Sequence, residues 1–554
     1  MDLEAARDLG DLPMLAQCVE NDAESFPADS DTVSPVPLVG PPVQHHLDPA
    51  DLLAVGLKSA PDGVALLSNR RRVTWRELDD ESRLLAAGYR EFGLSPGDRV
   101  ASLMPNCIDL VVHYLACLRS GLVVTPLNYR YTHREIDHAL DVCGASALLA
   151  HAERRADVEA SSLASELPLG VISYAGAGET SRFEELVSGP EPDVERGDVA
   201  PSSPAVIFFT SGSTGPAKGV THTHETLGAL FSTAAQMLEL GPEDVFLPGS
   251  SISHIAGFSF TLTSLGVGAQ ALVAHSFDAH ELIPLLRTAR PTVMSMLPAA
   301  LTALVRDHDL TGDDLSSLRL VRCAADKVPA ELDREIMALA HRQIDEGWGM
   351  TEIGFGALTP PGRPVKEGSV GEPTPGITLS LRDENGVEVA TGEVGRVWVQ
   401  SRSRTVGYWQ APEATAEVIQ DDWLDTGDLM RFDDDGCLWF FGRKKQIVVH
   451  DGSNISPQEV ENALAEHSSV ALAGAVGVHH DVHGENVRAY VVIEEGHERP
   501  SSADLIVFAR ERIGYRAPEE VVFLEEMPLT PSGKVDRTTL KRMAEDHLDA
   551  ERRH

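Results

Sequence analysis

Short apolar runs alternate with amphipathic stretches along most of the chain. The apolar runs predict buried strands, and the amphipathic stretches predict helices. Alternation of this kind is typical of parallel sheets covered by helices. The pattern predicts helices at residues 48–59, 74–91 and 278–290, and strands at 99–104, 122–126, 145–150, 244–247, 269–274, 292–297 and 318–325.

Changes in composition divide the chain into three parts. Residues 1–45 are rich in Asp, Glu and Pro with little periodic hydrophobicity, which predicts a largely disordered extension. Residues 46–442 carry the alternating pattern and a β-rich stretch around 389–400, and a basic cluster follows Gly442. Residues 443–554 suffice for a small domain with helices at 457–467 and 503–513 and strands at 471–478 and 487–494. The sequence predicts an α/β protein: a large N-terminal domain of layered α/β subdomains plus a β-rich subdomain, then a small α+β C-terminal domain.

Composition narrows the class of partner. The formal net charge of −39 argues against nucleic acid or an anionic membrane surface, because both require a basic face. The acidic N-terminus argues against a secretory signal, and six scattered cysteines fit a reduced, cytoplasmic compartment. The uncharged run 257–274 contains three glycines and several Ser, Thr and Gln residues. It therefore predicts a buried helix leading into a strand, and no membrane span is expected.

A loop of small and hydroxylated residues follows the apolar strand 205–209. Small residues let backbone N–H groups approach an anion, hydroxyl groups add donors, and a lysine supplies positive charge. A flexible Ser/Gly linker is the alternative, but linkers are not entered from a buried strand. We expect the following helix, from Thr226 to about residue 240, to add the positive end of its dipole. The predicted phosphate-binding residues are Thr210, Ser211, Gly212, Ser213, Thr214, Gly215 and Lys218.

The stretch TSGSTGPAKGV resembles the phosphate-loop signature of the acyl-adenylate-forming (AMP-binding) superfamily, which includes acyl-CoA synthetases and aryl-CoA ligases. Further motifs of that superfamily follow in order: SISHIAGF, RCAADKVP, GWGMTE, DTGD, FGRKKQ with DGSNISPQEVE, and PLTPSGKVDR. The resemblance covers residues 46–545. A chance match of seven ordered motifs is improbable, so the resemblance carries expectations for individual residues.

The resemblance assigns nucleotide and metal contacts. Trp348 is expected to stack on adenine, Thr351 to face the α-phosphate, and Glu352 to coordinate Mg²⁺, a hard ion that prefers carboxylate and phosphate oxygens. Asp428 and Arg443 are expected to hold the ribose. The segment containing Ala325 and Asp326 is expected to line the adenine and the acyl group, although these residues depart from the common GGAP-like pattern.

The resemblance also assigns the residues of the reacting centre. His254 is expected beside the acyl pocket, a structural histidine being the alternative. Lys445 occupies the hinge position of a mobile C-terminal domain, and Gln446 stands where an acid is common. Gly452 is expected to let the pantetheine arm pass. Lys534 is expected to bind the acyl carboxylate and the ribose 5′ oxygen, because charge developing at phosphorus needs a mobile cation.

The implied activity is an acid:CoA ligase that uses ATP, Mg²⁺ and CoA. A carboxylic acid is converted to acyl-AMP with release of pyrophosphate, and a thiol then displaces AMP. The absence of a carrier-protein segment favours CoA, and the Ser-Ile-Ser turn before His254 disfavours an amino-acid substrate.

Two alternative activities stay open: a stand-alone enzyme that serves a carrier protein, and an enzyme that activates an unusual oxyanion. A non-catalytic binding protein would be expected to have lost Lys534, Glu352 or the phosphate loop. A small or aromatic acid is favoured over a long chain.

Overall fold

The computed structural model describes residues 37–44, 46–174, 181–188, 199–210, 216–324, 328–450, 453–480, 483–494, 496–530 and 534–552. The first elements are β1 (Leu38–Val39), α1 (Ala54–Ser59), β2 (Val64–Leu67), β3 (Arg72–Thr74), α2 (Trp75–Glu91), β4 (Arg99–Leu103), α3 (Ile108–Ser120), β5 (Val123–Pro126), α4 (His133–Cys143), β6 (Ala147–His151), α5 (Arg155–Ala160), β7 (Val171–Tyr174) and α6 (Arg182–Val187).

The middle of the chain continues the alternation. It forms β8 (Pro204–Thr210), β9 (Lys218–Thr223), α7 (His224–Met237), β10 (Val245–Gly249), α8 (Ile255–Gly266), β11 (Gln270–Leu272), α9 (Ala279–Ala289), β12 (Val293–Met296), α10 (Pro298–Val305), α11 (Gly312–Leu315), β13 (Leu320–Ala324), α12 (Ala330–Ala340), β14 (Ile344–Met350) and β15 (Gly354–Leu358).

The remaining elements are mostly strands at first and then mixed. They are β16 (Glu372–Pro373), β17 (Ile377–Arg382), β18 (Gly395–Ser401), β19 (Gly407–Tyr408), α13 (Pro412–Val418), β20 (Ile419–Gln420), β21 (Trp423–Phe432), β22 (Leu438–Arg443), β23 (Val448–His450), β24 (Ser453–Ile455), α14 (Pro457–Ala465), β25 (Val470–His480), β26 (Gly484–Ile493), α15 (Ser502–Ile513), β27 (Glu520–Phe523) and α16 (Arg537–Arg552).

Two large mixed sheets form the α/β part of the protein. In the described residues, one has the strand order β19-β9-β8-β5-β4-β6-β7 and the other β16-β15-β14-β13-β12-β10-β11-β2-β3. Their central strands are parallel. Antiparallel strands close both edges of the second sheet and one edge of the first, whose other edge strand, β7, is parallel to β6. The fully apolar faces of these strands are covered by helices such as α3 and α8. The predicted α/β class is confirmed.

Two smaller sheets complete the fold. Within the described residues, an antiparallel sheet has the order β1-β17-β18-β21-β20 with β22 beside β21, and it contains the predicted β-rich stretch. The last sheet has the order β24-β23-β26-β25, with β27 parallel to β26, and it packs against α14, α15 and α16. A short 3₁₀ turn, Lys444–Gln446, joins the two sheets. The domain boundary after Gly442 stays a prediction.

Local signals in the sequence explain where several helices begin and end. Thr74 and Glu77 form a capping box at the start of α2, and the next turns bury Leu78 and Leu85. The helix α3 ends at Gly121, whose left-handed conformation suits glycine. The uncharged run 257–274 forms the buried helix α8 followed by β11, as predicted. Among the described helices, none is long and apolar enough to cross a membrane.

The helix predicted from Thr226 is present as α7, but an unpredicted strand separates it from the phosphate loop. Lys218–Thr223 forms β9, which pairs antiparallel with β8 and places Thr223 opposite Pro204 and Lys218 opposite Thr210. The helix α7 therefore begins at the end of the hairpin that lies away from the loop. The prediction that its dipole serves the loop is wrong, because β9 carries the chain back before the helix starts.

Two predictions near the N-terminus also need correction. Residues 38–39, assigned to a disordered extension, form β1 and pair with β17. Gln236 on α7 holds the same segment through the N–H of Gln44 and the carbonyl of Pro42. Residues 1–36 lie outside the described residues. The first helix begins at Ala54 rather than 48, because the Asp48 carboxylate accepts the N–H of Ala50 in a turn.

Candidate active site

The phosphate loop is framed by the β8–β9 hairpin. Thr210 is the last residue of β8, and its register partner Lys218 is the first of β9. The Lys218 ammonium lies 4.8 Å from the centre of the Tyr408 ring, a cation–π contact. Tyr408 belongs to β19, which pairs with β9. The predicted loop residues Ser211, Gly212, Ser213, Thr214 and Gly215 lie outside the described residues.

Trp348, Asp428 and Arg443 form one connected group. The Trp348 indole N–H donates to Asp428 Oδ2 at 2.8 Å, and Arg443 Nε lies 3.0 Å from Oδ1. Asp428 and Arg443 are register partners on β21 and β22, which explains their contact. Burial raises the pKa of the Asp428 carboxyl, although the charges of Arg443 and Lys534 oppose the rise. The structure thus brings together three residues that the sequence assigned to the nucleoside.

Glu352 and Thr351 lie buried just after β14. The Tyr408 hydroxyl donates to Glu352 Oε1 at 3.0 Å, and burial raises the pKa of the Glu352 carboxyl. The carbonyl of Thr351 contacts His222 Nε2 at 2.8 Å, and burial lowers the pKa of His222 to about 4. The neutral imidazole therefore holds the Thr351 backbone. Tyr408 links Glu352 to Lys218, so the predicted metal-binding and phosphate-binding residues share one neighbour.

His254 is the N-cap residue of α8, and its side chain makes no capping hydrogen bond. The residue is exposed at the surface, although many protein atoms surround the imidazole. This desolvation, together with the charge of Lys534, lowers the pKa of His254 to about 4. The imidazole is neutral near pH 7, so one ring nitrogen can donate a hydrogen bond while the other accepts one.

Lys534 lies on a turn between β27 and α16. The N–H of Thr530 donates to the Lys534 carbonyl at 2.7 Å, and the Lys534 N–H donates to the Thr530 hydroxyl at 3.2 Å. Its charge adds to the lowering of the pKa of His254 and opposes the rise of the pKa of Asp428. The charge of Lys534 is therefore felt at both residues.

The other predicted site residues divide into two groups. Lys445 lies in the 3₁₀ turn Lys444–Gln446 between two sheets, where a hinge would have to be. Ala325, Asp326 and Gly452 lie outside the described residues. Sequence reasoning missed Tyr408 and His222. Tyr408 contacts Glu352, 56 residues away in the chain, and His222 contacts Thr351, 129 residues away. No local motif encodes contacts at such separations.

The geometry is compatible with the expected substrates. Asp428 Oδ1 is buried without a hydrogen-bond donor, since the nearby Arg443 Nε is not aligned as one, so a ribose hydroxyl could satisfy it. Glu352 accepts a hydrogen bond from Tyr408 and keeps lone pairs for a hard cation. The described residues contain no cluster of three or more metal-binding side chains. A single carboxylate fits Mg²⁺ that shares its other ligands with phosphates and water.

This fold and this cleft define an AMP-forming acid–thiol ligase of the acyl-CoA synthetase type. A model of the AMP-binding enzyme family matches residues 54–409, and a model of the AMP-binding enzyme C-terminal domain matches residues 459–534. The chain therefore belongs to the AMP-binding enzyme family.

Curated relatives cover nearly the whole length of the protein. The chain is 30% identical over 491 residues to a fatty acid–[acyl-carrier-protein] ligase, ScoC of Streptomyces coeruleorubidus, covering 87% of this chain and 93% of the relative. It is 32% identical over 495 residues to feruloyl-CoA synthase of an Amycolatopsis species, covering 88% and 96%. The relatives thus include ligases for two kinds of thiol acceptor.

A solved structure in two states adds conformational information. ATP-bound MatB from Rhodopseudomonas palustris is 27% identical, covers 89% of this chain and 98% of its own, and gives a TM-score of 0.83. The apo form of the same protein, at the same identity and coverage, gives 0.74. The arrangement of this chain is therefore more similar to the ATP-bound form.

Proposed function

We propose that the protein converts a carboxylic acid and ATP to acyl-AMP and pyrophosphate, and then transfers the acyl group to the thiol of CoA. The observation that carries this proposal is the placement of Lys534, whose charge acts on both His254 and Asp428. A cation at that point lies between the acyl side and the ribose side of the cleft. It is suited to neutralise charge as the carboxylate attacks phosphorus.

Each remaining residue has a role in positioning the substrates. Asp428 accepts the ribose hydroxyls with Arg443 beside it, and Trp348 offers an aromatic face to adenine while its N–H fixes the aspartate. Lys218 and the phosphate loop hold the β- and γ-phosphates. Magnesium held between Glu352 and the phosphates would supply charge neutralisation at the leaving pyrophosphate. Neutral His254 borders the acid without adding charge beside the reacting carboxylate.

The second half-reaction requires Lys534 to leave the cleft. We infer that residues 443–554 form a mobile domain that rotates at Lys445, because the 3₁₀ turn there follows the last strand contact, Arg443 with Asp428. Rotation would withdraw Lys534 and bring the loop containing Gly452 towards the acyl-AMP. One cleft could then serve adenylation and thioester formation in turn.

The test is acid-dependent release of pyrophosphate from MgATP across a panel of carboxylic acids, with and without CoA, and with the products identified by mass. The expected result is release that needs an acid and a CoA thioester that forms only when CoA is present. If no acid in the panel supports release of pyrophosphate, the result would contradict adenylation of a carboxylic acid.

A carrier protein is the second candidate acceptor. The likeness to the ScoC ligase favours it, since that relative is named for an acyl-carrier protein as its acceptor. The same panel separates the two acceptors. Acyl-AMP that accumulates and is not discharged by CoA would replace the CoA proposal with the carrier-protein one.

A further inference from the structure

Arg322 is a buried arginine whose hydrogen-bonding capacity is only partly used. It lies in the middle of β13 and is 3% exposed, and its Nε and Nη1 atoms have no hydrogen-bond partner among the described residues. Asp345, its register partner on β14, is equally buried, but the closest approach is 3.6 Å from Nε to Oδ2. That distance gives charge attraction without a hydrogen bond. Buried donors of this kind are costly unless something satisfies them.

A nearby arginine shows what a satisfied pair looks like in this protein. Arg319, three residues earlier, donates from Nε and Nη2 to the two oxygens of Asp244, each at 2.9 Å. This bidentate geometry is the usual arrangement of a structural Arg–Asp pair. Asp345 instead accepts the backbone N–H of Thr359 at 3.3 Å. The Arg322–Asp345 pair thus leaves guanidinium donors available that the Arg319–Asp244 pair does not.

The guanidinium of Arg322 extends towards Gly347 and Phe260. A Cβ at residue 347 would collide with Arg322 Nη2, so the side chain runs along the strand to Gly347, directly before Trp348. The guanidinium carbon also lies 5.9 Å from the ring centre of Phe260 on α8. Phe260 is six residues after His254, which corresponds to about 9 Å along a helix. Arg322 is buried near the middle of α8, whereas His254 is exposed at the start of that helix.

Three residues near Arg322 and Phe260 are partly exposed to solvent. Ser295, the register partner of Arg322 on β12, is partly exposed, and so is Gly347 in the centre of the sheet. Ala256, one helical turn before Phe260, is partly exposed as well. Central strand residues and a helix face directed at the sheet are normally buried, so the partial exposure of Ser295, Gly347 and Ala256 indicates solvent-accessible space between α8 and the sheet.

We propose that Arg322 is a specificity-determining residue that donates hydrogen bonds to an oxygen at the far end of the acid substrate. The preferred acid accordingly carries a hydroxyl, carbonyl or second carboxylate group distal to the reacting carboxylate, rather than a plain hydrocarbon end. This inference rests on the proposed function, because it takes the space next to His254 as the acyl pocket.

The physical reason is the cost of leaving Arg322 unsatisfied. A hydrocarbon tail would displace water from the guanidinium and offer no acceptor in return. A site that hydrogen-bonds a polar group rejects analogues lacking it much more strongly than an apolar pocket rejects a change in size. The charge of Asp345 affects which distal group of the acid is preferred. A negative Asp345 favours a neutral hydroxyl or carbonyl group, and it would repel a second carboxylate unless Asp345 is protonated.

The test compares acids of matched length in pyrophosphate release. The sets are benzoate, para-hydroxybenzoate and terephthalate, and hexanoate, omega-hydroxyhexanoate and adipate. The wild-type enzyme is expected to prefer an oxygenated acid in kcat/KM by at least about 100-fold. Arg322→Met, which keeps an unbranched chain, is expected to abolish that preference by lowering kcat/KM for the oxygenated acid and raising it for the hydrocarbon acid.

Two controls make the result specific. Arg319→Met removes the fully paired arginine and is expected to leave the ratio between acids unchanged. Asp345→Asn is expected to shift the ratio towards the dicarboxylic acids, since it removes the opposing charge. A preference for hydroxylated acids or for dicarboxylic acids supports the proposal in either case and identifies the oxygen source.

Other outcomes overturn the inference. A wild-type enzyme that uses the hydrocarbon acids at least as well as the oxygenated ones would refute it, even if Arg322→Met fails to fold. An unchanged ratio in a folded Arg322→Met variant would refute it as well, and in both cases the proposed function would stand. If none of these acids supports pyrophosphate release, the result would overturn the proposed function and this inference together.

Discussion

Tyr408 illustrates how one side chain connects two predicted parts of the cleft. Its ring lies under the Lys218 ammonium and its hydroxyl donates to Glu352. Burial and the negative charge of Glu352 raise the pKa of Tyr408 far above its usual value, so the hydroxyl keeps its proton and acts as a donor. The contact fixes one carboxylate oxygen and leaves the other oxygen for a cation.

Replacing Tyr408 with Phe isolates that hydroxyl, because the aromatic face beneath Lys218 is retained. We expect the Mg²⁺ concentration for half-maximal pyrophosphate release to rise about fivefold, the equivalent of about 1 kcal/mol for one hydrogen bond. A magnesium titration of adenylation activity checks this. Tyr129→Phe, which removes a similar 2.8 Å hydrogen bond to Glu153, is the control and should behave as the wild type. An unchanged Mg²⁺ requirement in Tyr408→Phe would contradict the role of Tyr408.

At the scale of elements, the β8–β9 hairpin determines where the N-terminus of α7 lies relative to the phosphate loop. Thr223 caps α7 by accepting the N–H of Thr226 at 3.2 Å, at the opposite end of β9 from Lys218. The loop residues and Lys218 must therefore bind phosphate without the dipole of α7. The start of the helix contributes to stability instead.

Thr223→Ala tests this separation of roles. Loss of the cap should lower the free energy of unfolding by about 1 kcal/mol, measured by urea denaturation, and leave the KM for ATP unchanged. Thr223→Ser keeps the capping oxygen and should retain the stability. A raised KM for ATP in Thr223→Ala, with Thr223→Ser normal, would show that the helix terminus does reach the phosphates.

The sequence predicted several elements but not how some of them connect. The strands β4 to β6 and β10 to β13 follow from their apolar runs, and the predicted start of α2 is correct within a residue. The strand β9 was missed because KGVTHT alternates weakly and follows a loop usually associated with a helix. Its pairing with β8 is a property of the tertiary structure.

The candidate site divides in the same way. Trp348, Glu352 and Asp428 lie in short motifs, so their residue types could be read from the sequence. Tyr408 and Arg322 could not, because what matters is what they contact: Glu352 for one, and an incomplete pairing with Asp345 for the other. Local patterns identify residues, whereas burial and hydrogen bonding depend on the assembled fold.

For the molecule as a whole, buried histidines determine part of the response to acid. His113 is fully buried against Tyr89, whose hydroxyl lies 2.7 Å from Nδ1, and desolvation lowers the pKa of His113 to about 3. Below about pH 6.5 the unfolded chain binds a proton that folded His113 does not. Its contribution to stability therefore falls as the pH drops from about 6.5 towards 3.

His113→Gln measures that contribution. Between about pH 7.5 and pH 5 the wild type should lose about 2 kcal/mol more unfolding free energy than the variant, because pH 5 lies about 1.5 pH steps below the unfolded-state pKa of about 6.5 and each step is worth about 1.36 kcal/mol. Urea denaturation at several pH values gives both slopes, and comparing slopes cancels the general effect of the acidic net charge. Parallel slopes would show that His113 does not resist protonation.

The central claim is that Lys534 serves adenylation and not thioester formation. The direct measurement is the two half-reactions of Lys534→Ala, with Lys541→Ala, an exposed lysine on α16, as the control. Pyrophosphate release should fall by about 1,000-fold, the loss of a charge that acts mainly in the transition state, while CoA discharge of supplied acyl-AMP stays within about threefold of the wild type. Near-normal pyrophosphate release in a folded Lys534→Ala variant, or an equal loss in both half-reactions, would contradict the account.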